Sequence, residues 1–173
     1  MKKILLLLLS LSTLGVAAQA YPSLDNPHEI KLNLGLFLAT GSVEGSYEYF
    51  FSEDISIGGT LYVDSKPTDF NGGFGIGPNL RAYFFGFSPR GGFFAEVFGL
   101  YYTGEDEVDE NELLERDIDY STAALGLGGG HKWVTRSDRF TLEFHAGIGR
   151  NFNTPDFRSA FMYRGGLSVG YRF

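Results

Sequence analysis

The chain has no cysteine, one tryptophan, two methionines and three histidines, and its 21 acids outnumber 14 bases. Without cysteine it can form neither a disulfide scaffold nor a thiolate-ligated metal site. A formal charge of −7 argues against a nucleic-acid partner. Only one apolar stretch approaches the length of a membrane-spanning helix, and it lies at the N-terminus. What is abundant is glycine, 24 residues, and aromatic side chains, with 17 Phe and 10 Tyr. Such a chain is too apolar to stay disordered, yet its mean hydropathy is only −0.06. Its 173 residues suit one domain, or at most a small pair.

Lys2 and Lys3 precede an apolar run from Ile4 to Val16, which leads into Ala18-Gln19-Ala20. A positive end, a short apolar segment and an A-x-A site predict a secretory signal peptide over 1–20. An uncleaved anchor needs roughly 20 apolar residues. No cysteine follows the run, which excludes a lipoprotein anchor. Residues 21–27 then read as a lead-in, and 28–173 as a barrel domain.

From Ile30 onward the dominant period is two, the signature of strands. Eight runs are expected, at roughly 30–38, 43–51, 55–63, 73–85, 91–102, 118–134, 139–152 and 159–173. No amphipathic helix competes; residues 111–116 could form one or two turns at most. One face of the runs carries residues such as Tyr47, Ile57, Leu80, Val97, Leu127, Trp133, Phe144, Ile148 and Leu167. The opposite face carries the cations Lys31, Arg81, Lys132, Arg164 and Arg172 and the anions Glu44, Glu48, Glu96 and Glu143, with His145 among them.

Alternation alone fits a soluble sandwich or lipocalin as well as a membrane barrel, so the charges must decide. Their near balance suits a closed interior where charges pair. Nine glycines share that face, including Gly126, Gly128, Gly147 and Gly149, as a narrow lumen requires. The apolar face has no charge at mid-strand and keeps aromatics near strand ends, like a lipid-facing belt. Connections near 52–54, 86–90 and 135–138 are short, whereas those at 64–72 and 103–117 are longer. The pattern predicts an all-β, eight-stranded, antiparallel up-and-down transmembrane barrel with a polar, filled lumen. A sixteen-stranded porin does not fit the length.

The chain ends Gly165-Gly166-Leu167-Ser168-Val169-Gly170-Tyr171-Arg172-Phe173. This is similar to the C-terminal strand signal of Gram-negative outer-membrane barrels, which implies recognition by the assembly machinery through the strand ending at Phe173. Gly75-Ile76-Gly77-Pro78-Asn79-Leu80-Arg81-Ala82-Tyr83-Phe84, Gly91-Gly92-Phe93-Phe94-Ala95-Glu96 and Gly149-Arg150-Asn151-Phe152 resemble the small OmpA/OmpX-like outer-membrane barrels. The resemblance spans nearly all of 28–173 and implies architecture rather than chemistry. Pro78 cannot donate to a ladder, so a bulge or local break is expected there.

Centring the 86–90 turn makes Arg81 face Glu96, and the turn near 137 brings Lys132 close to Thr141 or Glu143. The expected interior network is Glu44, Glu48, Arg81, Glu96, Lys132, Glu143, His145 and Arg164. It reads as a structural plug rather than an ion path or proton relay. A hydrolase reading casts His145 as base, with Glu143 or Glu96 as orienter, and so resembles the lipid A deacylases among eight-stranded barrels. Their His-x-Ser pairing is missing, because His145 is followed by Ala146-Gly147. His131, on the lipid-facing parity beside Trp133, reads as interfacial. The Gly126–Gly130 stretch lacks the Lys-Ser/Thr of a phosphate loop and lies within a strand.

The connection from Glu105 to Asp119 holds nine acids, among them Glu105, Asp106, Glu107, Asp109, Glu110 and Glu112, against Arg116 alone. It reads as a solvated loop, with a cation or a basic surface partner as the functional alternative; ordered calcium-loop spacing is absent. The sequence therefore predicts a non-enzymatic, monomeric outer-membrane barrel without cofactor, catalytic site or metal site. Its partners would be outer-membrane lipids and lipopolysaccharide, the assembly machinery, and whatever meets the acidic loop. A lipid A-modifying enzyme and a secreted lipid-binding barrel are the alternatives.

Overall fold

The computed structural model describes residues 25–65, 72–84, 90–109, 115–153 and 159–173, with backbone alone for 106–109 and 115–118. The expected signal peptide, and Glu110 and Glu112, lie outside these residues. The strands are β1 (His28–Asn33), β2 (Val43–Phe50), β3 (Ile55–Val63), β4 (Phe74–Phe84), β5 (Gly92–Asp109), β6 (Glu115–Val134), β7 (Phe140–Phe152) and β8 (Phe161–Arg172). Each pairs antiparallel with its neighbours in sequence, and β1 pairs with β8 to close the barrel. Closure leaves no free edge along the paired wall.

The barrel is inside-out relative to a water-soluble one. Leu127 is 65% exposed and Ile76 51%, whereas Glu29 and Arg172 are 0% exposed. Ile57, Leu80, Val97, Phe144 and Leu167 also point outward. Since the strand period is two, this outward apolar set forces the charges into the lumen. Aromatic side chains gather at the end where the short turns lie. There His28 packs on Tyr47, Tyr49 and Phe173, and His131 lies between Phe93 and Trp133.

Three details depart from the sequence reading, and the bulge or local break expected at Pro78 is present as a break. The 30–38 run is not one strand: β1 stops at Asn33 and Leu34–Thr40 forms a short helix, α1. The Asn33 side chain caps its N-terminus, and Gly41 (φ 82°) ends it in the left-handed conformation. The reason lies in the register. Ile30↔Tyr47 and Lys31↔Ser46 would bring a tight hairpin to a two-residue turn at Leu38-Ala39, which has no turn chemistry. The turn residue Gly41 comes later, so the surplus chain is taken up at about 1.5 Å per residue rather than about 3.3 Å.

The acidic connection is not a loop throughout, because β5 and β6 stay paired out to Asp109↔Glu115. Nor is the lumen wholly polar. Phe50, Tyr83 and Phe94 form one buried cluster, and Phe98, Leu100, Tyr102, Tyr120, Ala124 and Met162 another. Part of the inner-face glycine serves these rings: a Cβ on Gly147 would lie 3.0 Å, and one on Gly149 3.4 Å, from the ring of Phe98. At Pro78 the ladder to β5 is interrupted between Ile76↔Tyr101 and Asn79↔Phe98 and resumes in the same register. It is a break without a bulge, and Gly99, without a side chain, lies opposite the proline ring.

Candidate functional site

The lumen is the one place where chemistry-bearing side chains converge among the described residues. Strand alternation delivers them: Glu29, Lys31 and Asn33 from β1, Glu48 from β2, Ser56 and Thr60 from β3, and Arg81 from β4 all point inward and are buried. Glu96, Lys132, Glu143, His145, Ser168 and Arg172 complete the set from β5 to β8.

Glu48 is the most heavily bonded carboxylate. It accepts from Lys31 Nζ (2.7 Å), Lys132 Nζ (2.8 Å), Ser56 Oγ (2.5 Å) and Tyr83 Oη (2.5 Å). Glu143 accepts from Arg81 Nη1 (2.8 Å) and Lys31 Nζ (3.1 Å). Glu96, the register partner of Arg81, accepts from its Nε at 2.6 Å. Lys132, the register partner of Glu143, lies 3.4 Å from that carboxylate. Arg164 stands 3.6 Å from both Glu44 and Glu96. Several cations also lie over rings: Arg81 over Phe94, Arg164 over Phe98, and Lys132 over Phe50 and Tyr83. These contacts join seven of the eight network residues named from sequence, Glu44, Glu48, Arg81, Glu96, Lys132, Glu143 and Arg164; His145 lies beside them without a hydrogen bond.

Sequence reading passed over Glu29, although it shares the odd parity of Lys31 and Asn33. It accepts from Arg172 Nε (2.8 Å) and Thr141 Oγ1 (2.9 Å) and lies 3.1 Å from Lys132. Counting Glu29, five cations (Lys31, Arg81, Lys132, Arg164 and Arg172) meet five anions (Glu29, Glu44, Glu48, Glu96 and Glu143) in this strand-borne network, and among the described residues the other two buried charges, Arg90 and Asp64, also offset one another in sign. Burying ions is tolerable only with such compensation.

Oxygens of Glu29, Glu48 and Glu143 lie within 4.8 Å of one another, a spacing that could hold a metal ion. The centre of this triad is taken by the Lys132 ammonium, 3.1, 2.8 and 3.4 Å from the three carboxylates. The site's chemistry is therefore that of a built-in cation.

A second missed group closes the turn end. Arg90, in the left-handed region at φ 58°, donates through Nη1 to the carbonyls of Asp25 (2.7 Å) and Asn26 (2.8 Å) and through Nη2 to Asp138. Its own carbonyl accepts from Arg172 Nη2 at 2.6 Å. One residue so ties the chain's lead-in and the β6–β7 turn, through its side chain, to β8, through its carbonyl, across the barrel floor. Nothing in local sequence marks it, because its partners are distant along the chain.

His145 is buried, 3.8 Å from Glu143 and 4.0 Å from Glu44, and neither ring nitrogen has a hydrogen-bond partner. A hydrolytic relay needs a hydroxyl on one nitrogen and an orienting acceptor on the other. Neither contact is formed here. On the acidic hairpin, Glu105 pairs in register with Asp119, Glu107 with Asp117, and Asp109 with Glu115, so acid stands opposite acid. Asp106 stands opposite Ile118.

A closed eight-stranded barrel, apolar outside and ion-paired within, has the fold of the small outer-membrane β-barrels. The structure is similar to the N-terminal β-barrel domain of OprF from Pseudomonas aeruginosa, with a TM-score of 0.50 and 17% identity over 86% of this chain and 98% of that one. No protein-family model matches the sequence, and no curated protein matches it. At this identity the likeness bears on the fold.

Proposed function

We propose that the chain is a small, monomeric, integral outer-membrane barrel that works without catalysis, bracing the envelope and presenting its β5–β6 hairpin outside the cell. The observation that carries this reading is the inverted surface: an apolar, aromatic-rimmed exterior around a charge-balanced, side-chain-filled lumen. Such an exterior is stable only against lipid. In this reading the N-terminal segment 1–20 exports the chain, and the strand ending at Phe173 is read by the assembly machinery. Lipopolysaccharide and phospholipid contact the wall. The acidic hairpin is the surface offered to a cationic partner.

The test is fractionation with heat-modifiable migration on gels. Outer-membrane recovery, detergent-dependent extraction and a boiled-versus-unboiled shift are expected; a folded protein soluble without detergent would overturn the membrane reading. Lipid A mass spectrometry of a deletion strain checks the non-enzymatic part, where any change in acylation restored by the wild-type gene would refute it.

A further inference from the structure

At the closure seam, β1, β8 and the start of β7 leave an apolar groove of about 320 Å³ on the outer wall. Val169 and Gly170 are the smallest residues that line it. Ile30, Leu32, Phe140 and Tyr171 also line it, and of these all except Tyr171 are exposed. The groove lies toward the turn end of the barrel, beside the aromatic cluster of His28, Tyr47, Tyr49 and Phe173. Aromatic belts of this kind mark headgroup depth.

The mouth of the groove is basic. Arg139 Nη1 donates to the Tyr171 hydroxyl at 2.9 Å, which sets the guanidinium at the end of the groove. Arg136, exposed in the same turn, adds a second cation. The turn's one acid, Asp138, is directed inward to Arg90 and Arg172. Among the described residues, neither Arg136 nor Arg139 has an ion pair, so the turn at the end of the groove carries two uncompensated cations, of which Arg139 reaches the groove itself through Tyr171.

We propose that this groove is a binding site for an anionic phospholipid, one acyl chain lying along Val169 and the phosphate held by Arg139 and Arg136. Charge complementarity joined to shape selects the headgroup: a zwitterionic lipid fills the groove equally well but brings a compensating cation to the arginines. The inference rests on the membrane-barrel reading and adds to it the leaflet and headgroup class. Short turns mark the periplasmic side of such barrels, where phospholipid faces the wall.

The experiment is native mass spectrometry of the full-length barrel folded in neutral detergent. The probes are phosphatidylglycerol and phosphatidylcholine of identical chains at equal concentration. Wild type is expected to retain phosphatidylglycerol preferentially. R139Q and R136Q should each reduce that preference by about fivefold, as for a basic residue at an anionic surface. V169F should reduce retention of both lipids. Because V169F could disturb folding, the two arginine variants, in an exposed turn, carry the decision, with heat-modifiable migration as the folding control. Equal retention of the two lipids by wild type, or an unchanged preference in R136Q/R139Q, would overturn the site. Failure of the membrane reading looks different: the protein would fold without detergent and retain neither lipid.

Discussion

Lys132 lies within 3.4 Å of all three of Glu29, Glu48 and Glu143, whereas Lys31 and Arg81 each reach only the last two and Arg172 only the first, and this makes it the residue whose loss should matter most. Lys132→Met leaves Glu29, Glu48 and Glu143 converging on an apolar tip in a site closed to water. Breaking a buried ion pair costs about 3–5 kcal/mol, and a loss of that size is expected in urea unfolding followed in detergent micelles. A loss below about 1 kcal/mol, within the range of an exposed pair, would show that water enters the lumen freely. Arg81 and Glu96 offer the complementary test. Arg81→Met and Glu96→Gln should each destabilise, and the double variant should cost less than their sum, because neither partner is left as a lone buried charge. Strict additivity in that cycle would mean the 2.6 Å contact contributes nothing.

Among the elements, α1 departs furthest from its own sequence. Leu32, Leu34, Leu36 and Leu38 alternate as a strand should, and Phe161–Leu167 of β8 have no register partner in β1. Turn chemistry, not polarity, keeps the segment helical. Leu38→Asn with Ala39→Gly supplies a type I′ turn where the β1–β2 register needs one. Hydrogen exchange in the double variant should then show added protection of the Gly165 to Leu167 amides; unchanged exchange there would refute the register argument. The β5–β6 hairpin carries the opposite conflict, since its ladder continues through three acid–acid pairs. Like charges directly opposite oppose pairing by about 0.2–1 kcal/mol each. A cation that neutralises them should protect the hairpin from proteolysis. Unchanged cleavage at millimolar calcium would leave a solvated, self-repelling hairpin without a divalent-cation role.

For the molecule as a whole, balanced charge and interleaved rings predict a sealed barrel. Planar-bilayer recordings should show no sustained large conductance, and a steady open pore would contradict a lumen packed by Phe50, Tyr83, Phe94 and Phe98. Arg90→Ala, which removes the tie between the lead-in, Asp138 and the floor, is the variant most able to admit brief openings. The total charge also has a location. The segment 105–119 carries nine acids and one base, so the rest of the chain beyond the N-terminal lysines is close to neutral.

Period-two alternation was enough to determine the strand count, the two faces and which face carries charge, because a strand's side-chain geometry is local. The Arg81–Glu96 pairing was legible for the same reason, once a turn centre was assigned. What only the tertiary structure decided involves partners far apart in the chain. Lys132 sits among carboxylates from β1, β2 and β7, Arg90 bridges the floor, and Glu29 finds Arg172 across the closing seam. The same holds for α1, where the neighbouring strand's register, rather than the segment's own alternation, set the conformation.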